Sequence, residues 1–217
     1  MLVEFDTDSG ASPCAWIQGY CLAVRACAWP FVLDLVPALR SVCIHYDPLR
    51  LYEDGWSPSA WLAALEQLEC VPAPASAARR HRLPICYDAG FGLDLDAAAR
   101  HLGMTAEALI ERHLAPVYTV AMIGFAPGFP YLEGLPEVLR LPRRATPRAG
   151  VSAGSVAIAE DLCGIYPVQL PGGWQVLGRT PLALFDVARP SPSLLQAGDR
   201  VRFERIDAAR FAVLGGC

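Results

Sequence analysis

Downstream of Val117 the chain shows no helical period, only short apolar runs punctuated by glycine and proline. Proline removes an amide donor and glycine weakens a helix interior, so the segment reads as strands and turns. Short strands closed by such turns predict a small β-barrel, with Asp199 to Ile206 alternating well enough to be the closing strand. The uncharged run Leu114 to Leu132 has the length of a membrane span. It contains Pro116, Pro127, Pro130, Gly124 and Gly128, and it reads instead as a buried strand followed by a loop.

The first half is different in character. Leu2 to Phe5 reads as a strand. Ala11 to Trp29 reads as a helix with Trp16, Tyr20, Ala23 and Cys27 at helical spacing, stopped by Pro30. Phe31 to Val36 and Ser41 to Tyr46 read as two strands, with Val42, Ile44 and Tyr46 on one face and Cys43 and His45 on the other. Ser57 and Pro58 open a helix whose stripe is Trp61, Leu62, Leu65 and Leu68. Val71 to Ala78 reads as a linker that Arg79-Arg80-His81-Arg82 finishes. Leu83 to Tyr87 is then a strand. Asp94 caps a short helix that ends at Gly103, and Thr105 caps the next, with Ala106, Leu109, Ile110, His113 and Leu114 on one face. The plan is α+β: a small α/β domain over 1–78 and a β-barrel domain over 83–217.

Composition narrows the function classes. The 217 residues are 53% hydrophobic and 18% charged, enough for packed cores and too apolar for long disordered tails. The net charge of −4 lacks the basic footprint of a nucleic-acid binder. No lysine occurs, so a phosphate-loop lysine, a lysine Schiff base and a biotinyl-lysine are all excluded, and anions fall to arginine or backbone N–H groups. The eight cysteines show no zinc-knuckle or redox-pair spacing, and the acidic start Met1 to Asp6 is unlike a secretory signal. Free thiols in the cytoplasm, with no metal and no membrane, are the expectation.

Three segments could carry chemistry. Gly124 to Leu132 sets Phe125, Pro127, Phe129 and Tyr131 among glycines, either as a binding wall or as a loop packed on its own core. Pro142 to Arg148 stiffens Arg143, Arg144 and Arg148 between prolines; guanidinium forks suit carboxylate or phosphate, and the alternative is solvated surface charge. Tyr166 to Gln175 brings the Gly172-Gly173 pair beside Trp174, where the backbone can approach a ligand or simply turn a tight hairpin. Gln175 could hydrogen-bond an amide. His113, on the apolar face of its helix, is either a core histidine or a catalytic group. No Gly-x-Ser-x-Gly elbow announces a hydrolase triad.

Together these segments, with Thr146-Pro147-Arg148, Val151 to Val156, Gly164 to Pro167, Gly178-Arg179-Thr180 and Leu194 to Phe203, resemble the family of 5-oxoprolinase B subunits, also described as allophanate hydrolase subunit 1 or kinase A inhibitor-like. The resemblance implies a ferredoxin-like N-terminal domain, a cyclophilin-like barrel and more strand ahead of Leu2 to Phe5. It also implies partners: a C subunit in direct complex and an A subunit, together opening the lactam of 5-oxoproline to glutamate with ATP and Mg. Such chemistry calls for cations around developing phosphate charge. Arg143, Arg148, Gly172, Gly173, Gln175 and Arg179 are the binding candidates. Phe125, Pro127, Phe129, Tyr131 and Trp174 are the pocket wall, and His113 and Tyr166 are the catalytic candidates. The same resemblance leaves open a histidine-kinase inhibitor and a urea carboxylase-related module.

Overall fold

In the computed structural model the punctuated second half closes on itself as a barrel. The structure describes residues 1–5, 13–74 and 78–215. The expected helix start at Ala11, the middle of the expected linker (75–77) and Cys217 lie outside them. The chain divides into two compact units, Met1–Ala78 and Arg79–Cys217.

The first unit has a three-stranded antiparallel sheet of β1 (Leu2–Glu4), β2 (Val32–Pro37) and β3 (Ser41–Tyr46), in the order β1-β3-β2. Its helices are α1 (Pro13–Ala26), α2 (Pro48–Glu53) and α3 (Pro58–Glu66). Val42 and Ile44 point into the core while His45 is exposed, as the alternation requires. The buried face of α1 is Ile17, Tyr20, Cys21 and Val24, one residue round from the expected Trp16-Tyr20-Ala23-Cys27 stripe. The reason is a second contact: Ala73 N–H donates to Ala15 O at 2.8 Å and the Cys70 thiol to Trp16 O at 3.5 Å. The early part of the expected linker therefore lies along α1. Helix α2 was not expected, although Asp47 accepts from the Leu49 and Arg50 amides and Pro48 sits at the first helical position. In α3, Trp61 and Leu65 are buried but Leu62 is exposed.

The second unit contains β4 (Arg80–Cys86), α4 (Leu95–His101), α5 (Ala106–Leu114), β5 (Tyr118–Ile123), β6 (Pro130–Glu133), β7 (Arg148–Val151), β8 (Ser155–Ala159), β9 (Leu162–Ile165), β10 (Leu170–Gly172), β11 (Gln175–Arg179), β12 (Arg200–Ile206) and α6 (Ala208–Gly215). The barrel runs β11-β4-β12-β5-β6-β9-β8 and closes between β8 and β11. β12 closes it as expected, but parallel to β4, with Arg200 opposite Arg80. β4 starts at Arg80 rather than Leu83, because the basic run is strand. Arg79 and His81 both reach Asp199, at 2.7 and 3.0 Å. The run Leu114 to Leu132 is the end of α5, then β5, a loop and β6; among the described residues no helix is long and apolar enough to cross a membrane. The described cysteines are free thiols.

Strand alternation gives this barrel two cores. Val156 and Ile158 of β8 point inward with Ile165, Leu177, Leu132 and Phe203, where α5 adds Leu109, Ile110 and His113. Ala157 and Ala159 point outward and are buried too, under a second cluster containing Phe129, Val151, Tyr166, Trp174 and Val176. A two-stranded sheet of β7 and β10 belongs to that outer layer. The outer layer is where the three chosen segments meet.

Candidate functional site

The loop from β5 to β6 is folded tightly on itself. Gly124 N–H donates to Phe129 O at 3.1 Å, and Phe129 N–H donates to Ala126 O at 3.0 Å across the Pro127-Gly128 turn. Proline at the second turn position and a glycine at φ +79° at the third are what that turn demands. Ala126 N–H also donates to Gly124 O at 2.8 Å, closing a three-residue turn centred on Phe125 at φ +67°. This conformation is costly for a bulky residue. The turn leaves the Phe125 ring 62% exposed, edge-on to the buried Phe129 at 5.4 Å. Phe129 then meets Tyr131, Tyr166 and Trp174 at 5.0, 5.2 and 5.9 Å. Pro127 stands exposed at the rim.

The arginine loop is tied to the same layer. Arg144 N–H donates to Gly173 O at 2.7 Å, and the Gln175 side-chain amide donates to Pro142 O at 3.0 Å. Gln175 thus fastens the loop rather than facing outward unpaired. Gly172 has a packing reason: a Cβ there would stand 2.1 Å from the Tyr166 hydroxyl. Gly173 supplies its carbonyl to Arg144 and borders Pro147.

The hub of the layer is Asp94, 3% exposed. Its Oδ1 accepts from Arg144 Nη1 at 2.6 Å and Arg148 Nη2 at 2.7 Å, and its Oδ2 accepts from Arg148 Nη1 at 2.7 Å and Val176 N at 2.8 Å. Asp94 does occupy the position before α4, but its side chain makes no capping bond. Burial acts to raise its carboxyl, yet the hydrogen bonds from Arg148 and Val176 and the charges of Arg148 and Arg144 outweigh it and hold the group below the usual aspartate range. Sequence reading missed this hub because Asp94 lies 50 and 54 residues from its two arginines. No local pattern carries such a pairing.

The remaining candidates separate. Arg179 donates to Ala153 O at 2.6 Å and lies over the Phe211 ring at 5.7 Å. Arg143 is exposed, with its guanidinium 6.0 Å from the Trp174 ring centroid. Tyr166 is 2% exposed; burial raises its hydroxyl, against the opposing effects of the Trp174 backbone N–H and of Arg143 and Arg148. His113 lies apart from all of them in the barrel core, 0% exposed. Its Nδ1 is 2.7 Å from the Tyr87 hydroxyl, its Nε2 3.6 Å from the Cys163 thiol, and its ring stacks on Phe203 at 4.9 Å. Burial pushes its pKa down to about 3, so it is neutral at physiological pH.

A closed barrel that follows a small α/β unit and carries a second core on its outside is a carboxyltransferase-like architecture. More narrowly, the chain belongs to the carboxyltransferase domain, subdomain C and D family, which it matches over residues 1–195. A relative from Bacillus subtilis (strain 168), named as the B subunit of 5-oxoprolinase, is 35% identical over 213 residues, 95% of this chain and 89% of its own length. The solved structure of TTHA0988 superposes with a TM-score of 0.81 at 36% identity over 96% of this chain, which spans only 40% of that longer one. The urea carboxylase of Kluyveromyces lactis superposes with a TM-score of 0.70 at 19% identity, covering 98% of this chain and 21% of that one, a likeness of fold alone.

Proposed function

We propose that this chain is the B subunit of an ATP-dependent 5-oxoprolinase that opens the lactam of 5-oxo-L-proline to L-glutamate in a cytoplasmic assembly with an A and a C subunit. The near full-length likeness to a relative named as that B subunit carries the reading. The geometry agrees with a binding rather than a self-sufficient catalytic role. The outer layer offers cations and aromatic rings, but among the described residues it holds no exposed histidine beside a nucleophile. His113 is sealed in the barrel, and Tyr166 is buried with a raised pKa.

A magnesium nucleotide fits this chain's own residues poorly. There is no lysine, and among the described residues no three His, Cys, Asp or Glu side chains converge as a metal site. Arg148 and Arg179 are already engaged by Asp94 and Ala153. No step is therefore assigned to ATP on this chain. The test is co-expression with the cognate A and C subunits and an assay of ATP-dependent glutamate release, leaving out one subunit at a time. We expect release only from the full set. A stable assembly that leaves 5-oxoproline intact would redirect the search to another amide, and no assembly at all would favour the kinase-inhibitor branch.

A further inference from the structure

Four arginines border or adjoin the outer aromatic layer, and their partners set one apart. Arg144 and Arg148 bond to Asp94, and Arg179 bonds to the Ala153 carbonyl. Arg143 makes no hydrogen bond or ion pair with any described residue and lies over the face of Trp174. The site is also short of negative charge. Two guanidiniums meet a single carboxylate at Asp94, leaving one positive charge uncompensated, and Arg143 adds another. Arg144 Nε is buried and has no acceptor. An anion is the chemical complement of that arrangement.

Which anion follows from the number of free donors. A polyphosphate needs several donors and usually a metal, and the exposed guanidinium of Arg143, without a hydrogen-bond partner among the described residues, is a single planar fork. A fork of that shape matches a carboxylate with two parallel hydrogen bonds. The guanidinium lies over the Trp174 face at cation–π range, 6.0 Å from the ring centroid, and Tyr131, 5.8 Å from Trp174, adds a half-buried ring beside it. The loop beneath is held by Arg144 N–H on Gly173 O and by Gln175 on Pro142 O, so little entropy is lost when Arg143 is engaged.

We infer that Arg143, backed by Trp174 and Tyr131, is the anchor for the carboxylate of a small cyclic amide substrate. The inference rests on the function proposed above and adds to it the group that selects a carboxylate-bearing lactam.

Steady-state kinetics of the assembled complex carrying Arg143→Ala or Arg143→Lys test it, with 5-oxoproline and with its carboxamide counterpart as substrates. Loss of a charge-assisted pair predicts a KM for 5-oxoproline raised about ten- to a hundredfold in Arg143→Ala, partly restored in Arg143→Lys. The KM for ATP stays as in the unsubstituted complex, and the KM for the carboxamide, which offers one neutral acceptor in place of a carboxylate, rises less than that for 5-oxoproline. An unchanged KM for 5-oxoproline in an active complex overturns the inference and leaves the proposed function standing. A KM for ATP that rises instead assigns Arg143 to phosphate and overturns it equally. An unsubstituted complex that does not open 5-oxoproline at all removes the proposed function, and the inference with it.

Discussion

Asp94 is the residue on which the outer layer turns. Each of its carboxylate oxygens accepts two hydrogen bonds, so an amide in its place matches the shape but loses the charge and turns an NH2 donor toward two donors. Asp94→Asn leaves two guanidiniums facing each other without an anion. Breaking a buried pair in this way costs about 3 kcal/mol, toward the low end because both arginines keep some solvent contact. Thermal unfolding of the second unit is expected to fall by roughly 10 °C; a fall below about 2 °C would show that the hub is not structural. Arg144 and Arg148 were legible in the sequence as a stiffened cationic loop. Their acid was not, since only the closed barrel brings residue 94 to residues 144 and 148.

At the scale of elements, the β5–β6 loop combines order with strain. A phenylalanine held at positive φ costs about 1–2 kcal/mol, and its edge contact with Phe129 returns about 0.5–1.5 kcal/mol. Phe125→Gly exchanges the two, so the midpoint of unfolding is expected to move by no more than a few degrees. If the strained turn serves to present the ring, turnover of 5-oxoproline by the assembled complex falls at least about tenfold in the same variant, the split expected where strain serves function. Equal activity would reduce the exposed ring to a packing detail. The Pro127-Gly128 turn could be read from its dipeptide. The three-residue turn at Phe125 could not, because nothing about a phenylalanine announces a left-handed backbone.

At the scale of the whole molecule, the barrel core carries a titratable group that must stay neutral. His113 has its pKa lowered from 6.5 to about 3 by burial, while in the unfolded chain it protonates near its ordinary value. Between those values the unfolded state binds a proton that the native state refuses, so stability rises with pH across that window and is lost as pH falls below about 6.5. The full loss is on the order of several kcal/mol. Denaturant midpoints measured between pH 7 and pH 4 should fall, and His113→Gln, whose amide can hydrogen-bond Tyr87 as donor or acceptor without titrating, should flatten that slope; an unchanged slope would remove His113 as its source. Elements whose signals are local were legible without any structure. Proline and glycine spacing pointed to barrel strands after Val117, though not to β4 or α6; Ser57 and Thr105 set helix starts, and alternation set the faces of β3. Residue types alone also brought forward the three segments that share the outer layer. The use of each side chain there came from the tertiary fold: Arg148 and Gln175 hold the layer together, Arg143 faces outward, and His113 is enclosed. The physical reason is that a guanidinium or an imidazole has the same chemistry at any place in the chain. Only burial and a partner dozens of residues away settle whether that chemistry is satisfied within the fold or left to meet a ligand.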